Sequence, residues 1–492
     1  MIDQLLAKLF AEHELEADLE TEGGRLDIRT LRVHEELSEL TRCEIDVVST
    51  EDVDFSELLE RPATVVLRIG MNELRRWQFV LGEARFVEMV DGVLRYRLYL
   101  YPSLWLLGFT KDVRKYRDET TDAIIDKTLD RYAIDHRWEI TRSPDMRPWC
   151  VHFRESSLDF VSRLLEFEGI YYYFDENDTL VLADRSPASP EVSDVGYTLL
   201  DTDGALAHGE DGITSFRKGT RVGSGAATVN DFNFKKPHKS LLASSKGARD
   251  PQLEVYDYPT GYRELGQGNT LAQLRREALE ATKVYVEGTS NVFGFTPAKK
   301  FNFSHDEGLS YSGVYTLVRV EHHFEAADKS KNKASRYDNK FFAIPEATPF
   351  RPPLKTPHPV VEGNHTAMVR GPVGEEIHTD SKGRFKVQFH WDREALGTDA
   401  DSRWMRMNQE VSTSLVLSRV GWEVSLAYID GDPDRPFGFA RLINGEMMPA
   451  YGQPGNKNVM TIKTESYPGK GGFNEIRMDD SVGTMRMDFR AE

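Results

Sequence analysis

Between Arg384 and Trp391 polar and apolar side chains alternate without a break: Arg384, Lys386, Gln388 and His390 on one side, Phe385, Val387, Phe389 and Trp391 on the other. A period of two is the mark of a strand with one buried face, and it makes the apolar set the candidate core of whatever the strand helps to enclose. A second extended run, Glu423 to Ile429, leads into Gly431-Asp432-Pro433-Asp434-Arg435-Pro436. There two prolines and a glycine force a turn before extended structure resumes from Phe437 to Ile443. Short strands punctuated in this way predict a small closed barrel.

The same alternation fills the amino-terminal region. Ile28, Leu31 and Val33 precede a turn at Glu36-Leu37-Ser38-Glu39-Leu40, and Cys43, Ile45 and Val47 follow it. Arg76 to Phe86 and Val93 to Tyr101 continue the pattern, and Pro102 to Leu107 closes a first barrel. From Asp112 the period lengthens. Thr120 or Thr121 can cap a helix through Tyr132, and Ser156 can cap another whose packed face is Leu158, Val161, Leu164 and Leu165 and which Gly169 ends. Residues 185 to 252 are polar and turn-rich and read as loops between strands or an exposed surface. Thr270 to Val286 reads as helix, and Phe293 to Phe303 and Ser312 to Phe324 as strands of a second barrel. The prolines between Arg351 and Pro359 lock an extended backbone and mark a boundary. Near the end, Ile476, Met478, Met485, Met487 and Phe489 face one way, and Arg477, Asp479, Arg486, Asp488 and Arg490 the other.

The segments GRFKVQFHWDRE, RVGWEV and DGDPDRPFGFARLING, in that order, together with RESSLDFVSRLLEFEGIYY, resemble the VgrG spike proteins of bacterial type VI secretion, kin to the hub-and-needle proteins of contractile phage tails. The resemblance implies a mainly β chain with inserted helices: phage-tail-hub-like β-barrels, an OB-fold barrel and the start of a trimeric β-helix. On that reading residues 1–350 form the hub with two barrels and an inserted helical unit, 351–359 a Pro-rich linker, 360–455 the OB-fold barrel and 456–492 the start of the needle. It further implies a homotrimer that sits on a hexameric tube protein, contacts baseplate components and carries a tip protein of the PAAR type or an effector at the needle end. Such a protein is assembled in the cytoplasm and expelled with the tube. A tail hub of a contractile phage or of an extracellular injection particle fits the same motifs. Two segments depart from the family: Trp422 stands where an aspartate is usual, and Met407 to Ser418 replaces a Gly/Trp-rich stretch.

Composition narrows the function classes. With 80 acidic and 62 basic side chains the formal charge is −18, which disfavours nucleic acid as a partner. Cys43 and Cys150 are too few for a disulfide framework. Asp3, Lys8 and Glu12 interrupt the first residues, which leaves no secretory core. The apolar run Leu98 to Phe109 is broken by Pro102 and is shorter than the roughly 18 residues of a membrane span, so no stable membrane insertion is expected.

No catalytic residues, cofactor or metal ligands are assigned. Asp430, Asp432 and Asp434 have the opening spacing of a calcium loop, but Arg435 and Arg441 occupy positions that need glycine and glutamate. Glu321-His322-His323 and His390-Trp391-Asp392 lack a third convergent ligand, and His13-Glu14 and His34-Glu35 lack the second histidine of a zinc-protease helix. Glu155, Asp159, Glu166 and Glu168 offer an acid/base pair, but their spacing suits a helix start and a solvated face. A cell-wall hydrolase would need a further domain, and an oligosaccharide- or single-strand-binding barrel would need exposed aromatics in a basic groove.

Overall fold

A computed structural model describes residues 14–193, 196–200, 211–304, 311–410 and 414–491. Asp3, Lys8, Glu12 and His13, on which the amino-terminal readings rest, lie outside these, as do residues 411–413 of the departing segment. The chain divides into two compact units. One runs up to Thr110 and adds Ile125–Pro144 and Ser156–Pro357; the other gathers Lys111–Ile124, Asp145–Glu155 and His358–Glu492.

The first unit contains two closed β-barrels. Six antiparallel strands make the first, in ring order Leu15–Thr21, Pro62–Ile69, Asn72–Val90, Val93–Tyr101, Arg42–Ser49 and Gly24–Glu36, and the last pairs back with the first from Asp18↔Asp27 to Thr21↔Gly24. Closure leaves no free edge and turns alternate side chains inward. Leu19, Leu31, Ile45, Val65, Leu67 and Leu98 are accordingly fully buried.

The second barrel follows the order Ile213–Thr220, Val284–Ser290, Arg336–Pro345, Gly313–Glu325 and Lys300–Phe303. Its ring is completed by residues 197–199, where Tyr197 bridges Phe303 and Leu199 bridges Ile213. Phe295, Phe301, Leu317 and Val320 fill it. Gly288 is needed in this wall, because a Cβ there would lie 2.0 Å from the Ser215 carbonyl oxygen. Gly24–Glu36 pairs with Gly313–Glu325 from Thr30↔Glu325 to Glu36↔Arg319, so the two barrels share one continuous ladder.

Helices sit where the caps predict, with corrections downstream. Thr121–Arg131 is helical. Ser157–Glu168 begins at Ser156, whose Oγ accepts the Asp159 N–H at 3.0 Å, and ends at Gly169 with φ 67°. Among the described residues the next long helix is Leu265–Glu280, and Val284–Ser290 is a barrel strand, where helix was expected to Val286. The β-branched pair Val284 and Val286 takes the strand because partners flank it on both sides. Strand begins only at Lys300 within Phe293–Phe303. Residues 185–252, read as loops between strands or an exposed surface, include the strands Ile213–Thr220, Ala226–Val229 and Ala243–Lys246.

The Pro-rich segment has no regular structure, yet it is pinned within the first unit. Arg351 donates to Glu277 Oε2 at 2.9 Å and to the carbonyls of Gly169 and Asp184 at 3.1 and 2.6 Å. Glu166 accepts the backbone N–H groups of Lys355 and Thr356 at 2.9 and 3.0 Å.

The second unit holds a smaller closed barrel. His365–Arg370 pairs with Lys386–Phe389 and with Glu423–Tyr428, which pairs with Pro436–Leu442. Residues 405–408 close the ring: Phe385 and Met405 exchange backbone hydrogen bonds of 3.0 and 2.8 Å, and Gly438 binds Arg406 and Asn408 at 2.8 Å each. After it comes a three-stranded antiparallel sheet, Val459–Lys463, Glu475–Asp479 and Arg486–Arg490.

Candidate functional site

Cross-strand register decides what this last sheet presents. Met460 lies opposite Met478, which lies opposite Met487; Ile462 lies opposite Ile476, which lies opposite Phe489. Directly opposed residues share a face, so two apolar rows run side by side across all three strands. They are bare in the single chain: Met487 is 55% and Phe489 73% exposed, and Met460, Ile462 and Ile476 are exposed too. Met478 is half-buried, and Met485 lies just outside its strand, 74% exposed.

The opposite face is satisfied by its own neighbours. Glu475 accepts from Thr461 Oγ1 at 2.6 Å and from Tyr451 OH at 2.8 Å. Those hydroxyls, Thr461 first, hold its carboxyl below the usual carboxylate range. Arg477 pairs with Asp479 at 3.0 Å, and Arg486 with Asp488 at 3.2 Å. Lys463 and Arg490 stand over the Phe473 ring at 3.9 and 4.2 Å. One side thus has partners in its own chain and the other presents a continuous apolar strip. Met460 and Ile462 belong to that strip and were missed from the sequence, although the run Val459-Met460-Thr461-Ile462-Lys463 carries the same period of two.

The barrel residues form a separate group. Phe385, Val387 and Phe389 are fully buried with Ala367, Val369, Met405, Val424 and Leu426. Trp391 is half-buried and stacks on Phe389 at 4.7 Å. Trp149, Val151 and Phe153 complete the same core, although more than two hundred residues separate them from Phe385. They stand on or beside the strand Cys150–Glu155, which pairs with Asp112–Tyr116. The carboxylates of Asp392 and Glu394 pair with Lys115 and Arg114 of that second strand. Trp422, the departure from the family pattern, packs against this core beneath the Arg441 guanidinium at 4.7 Å.

The carboxylates weighed for acid/base chemistry are engaged structurally. Asp159 accepts from the capping Ser156 hydroxyl at 2.7 Å, and Glu168 pairs with Arg142 at 2.7 Å. Glu166 and Glu168 are buried, where a solvated face was expected, because they fasten the Pro-rich strap and Arg142. His322 is buried, His323 half-buried and His390 exposed.

Among the described residues one metal-capable group stands out: His358, Asp432 and Asp434, with ligand atoms within 4.8 Å of one another. Its carboxylates already have donors. Arg435 Nε lies 3.0 Å from Asp432, and Asp434 accepts the Val151 N–H at 2.6 Å. Asp430, the first residue of the calcium-like spacing, is outside the group, in a left-handed conformation with φ 53°. Among the described residues no helix is long and apolar enough to cross a membrane.

Comparison with known proteins identifies the architecture. Residues 34–328 match the family model "Phage tail baseplate hub (GPD)". The type VI secretion system spike protein VgrG1c of Pseudomonas aeruginosa is 31% identical over 509 residues, covering 98% of this chain and 69% of its own length. Among solved structures, an E. coli protein described as a component of the type VI secretion system, with structural similarity to the T4 tail proteins gp27 and gp5, superposes with a TM-score of 0.63 at 20% identity, covering 86% of this chain and 99% of that one. A chain of a lidless PdpA–VgrG complex gives 0.61 at 9% identity over 97% of this chain and 99% of that one.

Proposed function

The chain belongs to the type VI secretion spike family, whose hub part is shared with phage tail baseplates, and we propose that it works as a homotrimer in which three needle sheets bury their apolar strips against one another. The observation that carries this reading is the strip itself: Met460, Ile462, Ile476, Met478, Met487 and Phe489 on one face, with the polar face already satisfied. At −18 per chain, copies repel over most of their surface, so association favours a patch that carries no net charge. Three chains with two barrels each would offer six similar walls to a ring of six tube subunits. The needle end would carry a tip protein or an effector; a Francisella complex that contains a chain of this fold joins VgrG to PdpA.

The role is mechanical. Rigidity comes from closed barrels and from a Pro-rich strap fastened by Glu166 and Arg351. No turnover is needed, and the purified protein should release no dye from labelled cell walls. Assembly in the cytoplasm and expulsion with the tube follow from the same role. The baseplate-hub match fits a phage tail equally, with the same mechanical task. Sedimentation velocity of the full chain at micromolar concentration tests the core of the reading: the expected species has the mass of three chains, and a single-chain species would refute it.

A further inference from the structure

A connected set of polar side chains is buried where the two hub barrels share their ladder. From the first barrel come Glu35 and Arg75, the latter half-buried; from the second come Ser290, His322, Tyr337 and Asn339. Arg75 Nη2 and His322 Nε2 both lie 2.7 Å from Glu35 Oε2. Arg75 Nη1 also donates to the Phe293 and Phe295 carbonyls at 2.9 and 2.8 Å. On the other side of the ring, His322 Nδ1 lies 2.7 Å from the Tyr337 hydroxyl. That hydroxyl accepts from Asn339 Nδ2 at 3.3 Å, and Ser290 donates to Asn339 Oδ1 at 2.7 Å. Because Glu35 can only accept, Nε2 carries the ring proton and Nδ1 accepts from Tyr337.

We propose that this chain is an acid-sensitive lock between the barrels: with His322 neutral it ties them into one body, and a second proton on His322 opens the seam between Gly24–Glu36 and Gly313–Glu325. That proton would go to Nδ1, directly facing the Tyr337 hydroxyl, which must then turn its own proton away. It would also place an imidazolium, on a ring fully shielded from water, beside the Arg75 guanidinium on a single carboxylate oxygen. The Trp77 ring, 5.2 Å from His322, closes another side. Further titratable groups near the network are Lys299, Asp211 and the Cys43 thiol, which burial keeps protonated, all in the field of Arg75, Glu35 or Tyr337. The other histidines of the seam lie on its wetter face, His34 beside Glu36 and Glu321, His323 beside Glu325 and Asp338.

Burial, and then Arg75, press His322 down from 6.5 to about 4. Burial pushes Glu35 upward, but Arg75 and His322 outweigh it and leave it at about 2, so Glu35 stays ionised while His322 titrates. The unfolded or opened ring takes its proton near 6.5 and the locked ring only near 4. The lock is therefore whole above the higher value and is lost as pH falls toward the lower one.

The test is backbone hydrogen exchange on the full chain, corrected for the intrinsic pH dependence of exchange. Amides of Thr30–Glu36 and Arg319–Glu325 should open at least about tenfold more readily near pH 5 than near pH 7, while the far walls of both barrels change little. His322→Gln keeps a donor for Glu35 and an acceptor for Tyr337 but has no proton to gain, so the acceleration should vanish. Tyr337→Phe leaves Nδ1 unguarded, so the acceleration should begin at higher pH. The idea is overturned if His322→Gln accelerates like the parent, if Tyr337→Phe leaves the onset where it was, or if the seam opens no earlier than the barrel walls. The lock lies within one chain, and its outcome does not depend on the trimer.

Discussion

In the first hub barrel Leu19, Val65 and Leu98 are wholly buried, whereas in the needle sheet Met487 and Phe489 stand 55% and 73% exposed. Both regions are antiparallel and both alternate polar with apolar. They differ in closure. Six strands returning on themselves give the inward-facing apolar side chains partners from the same chain, whereas the far end of one hairpin, Phe86 to Val93, leaves apolar side chains exposed. Three strands in an open sheet cover one face only, with Glu475, Arg477 and Tyr451. The contrast separates what a strand pattern guarantees, a face, from what it leaves open, the identity of whatever covers that face. The hub therefore answers to substitution as a monomeric core does, and the needle as an interface does.

The largest effect should come from the closed side. Phe301 is fully buried among Phe295, Tyr315 and Phe341. Phe301→Ala should cost about 3–5 kcal/mol per chain, the usual range for a large aromatic whose site cannot collapse. Denaturant titration would read it as a lower midpoint, with sedimentation still showing three chains at native concentrations. Loss of the trimer with an unchanged hub midpoint would mean that the closed barrel is the interface and the comparison is inverted.

Met487→Asp strikes the open side. In a trimer it would bring three carboxylates together in an apolar core, at a cost on the order of several kcal/mol per trimer from desolvation and like-charge repulsion. The expected result is single chains in sedimentation with the hub's own melting transition in place. Acidification should partly restore assembly, because a protonated carboxyl removes the repulsion. A trimer that survives at neutral pH with unchanged melting would show that the strip is not the interface.

The sequence reveals these two regions unequally, for a physical reason. Local period and punctuation suffice for the first barrel from Arg25 on, for the strand around Val387 and for the helix framed by Ser156 and Gly169, because each signal lies within about ten residues. They miss Leu15–Thr21, which closes the ring of that barrel. Trp149, Val151 and Phe153 could not be assigned to the core of the carboxy-terminal barrel from any window, since their partners lie far along the chain. Tyr197 and Leu199 close the second barrel through single bridges too short to leave a period. Val284 to Val286 was read as helix because the apolar stripe of Leu265–Glu280 runs up to it, and only its neighbours on either side make it a strand. The needle's apolar face was legible over Ile476 to Phe489, but its third row, Met460 and Ile462, needed the register.

A smaller effect distinguishes helix capping from assembly. Ser156→Ala removes the acceptor for the Asp159 N–H and should cost about 1 kcal/mol. Thermal melting of the hub should drop by a few degrees, with no change in the number of chains.

The smallest expected effect is the most discriminating. Asp488 lies on the same strand as Met487, one residue on, and therefore on the other face, where it is 46% exposed and pairs with Arg486 at 3.2 Å. An exposed pair of this kind contributes little, so Asp488→Asn should change stability by no more than about 0.5 kcal/mol and leave three chains together. Sedimentation and melting of the two neighbouring variants, measured side by side, then form one experiment. If Met487→Asp is silent and Asp488→Asn dissociates the chains, the faces are reversed and the polar ladder of Glu475, Arg477 and Arg490 is the side that meets other copies. If neither matters, the needle sheet carries no assembly energy, and the hub and the smaller barrel must hold the copies together, with the exposed apolar hairpin from Phe86 to Val93 the next surface to test.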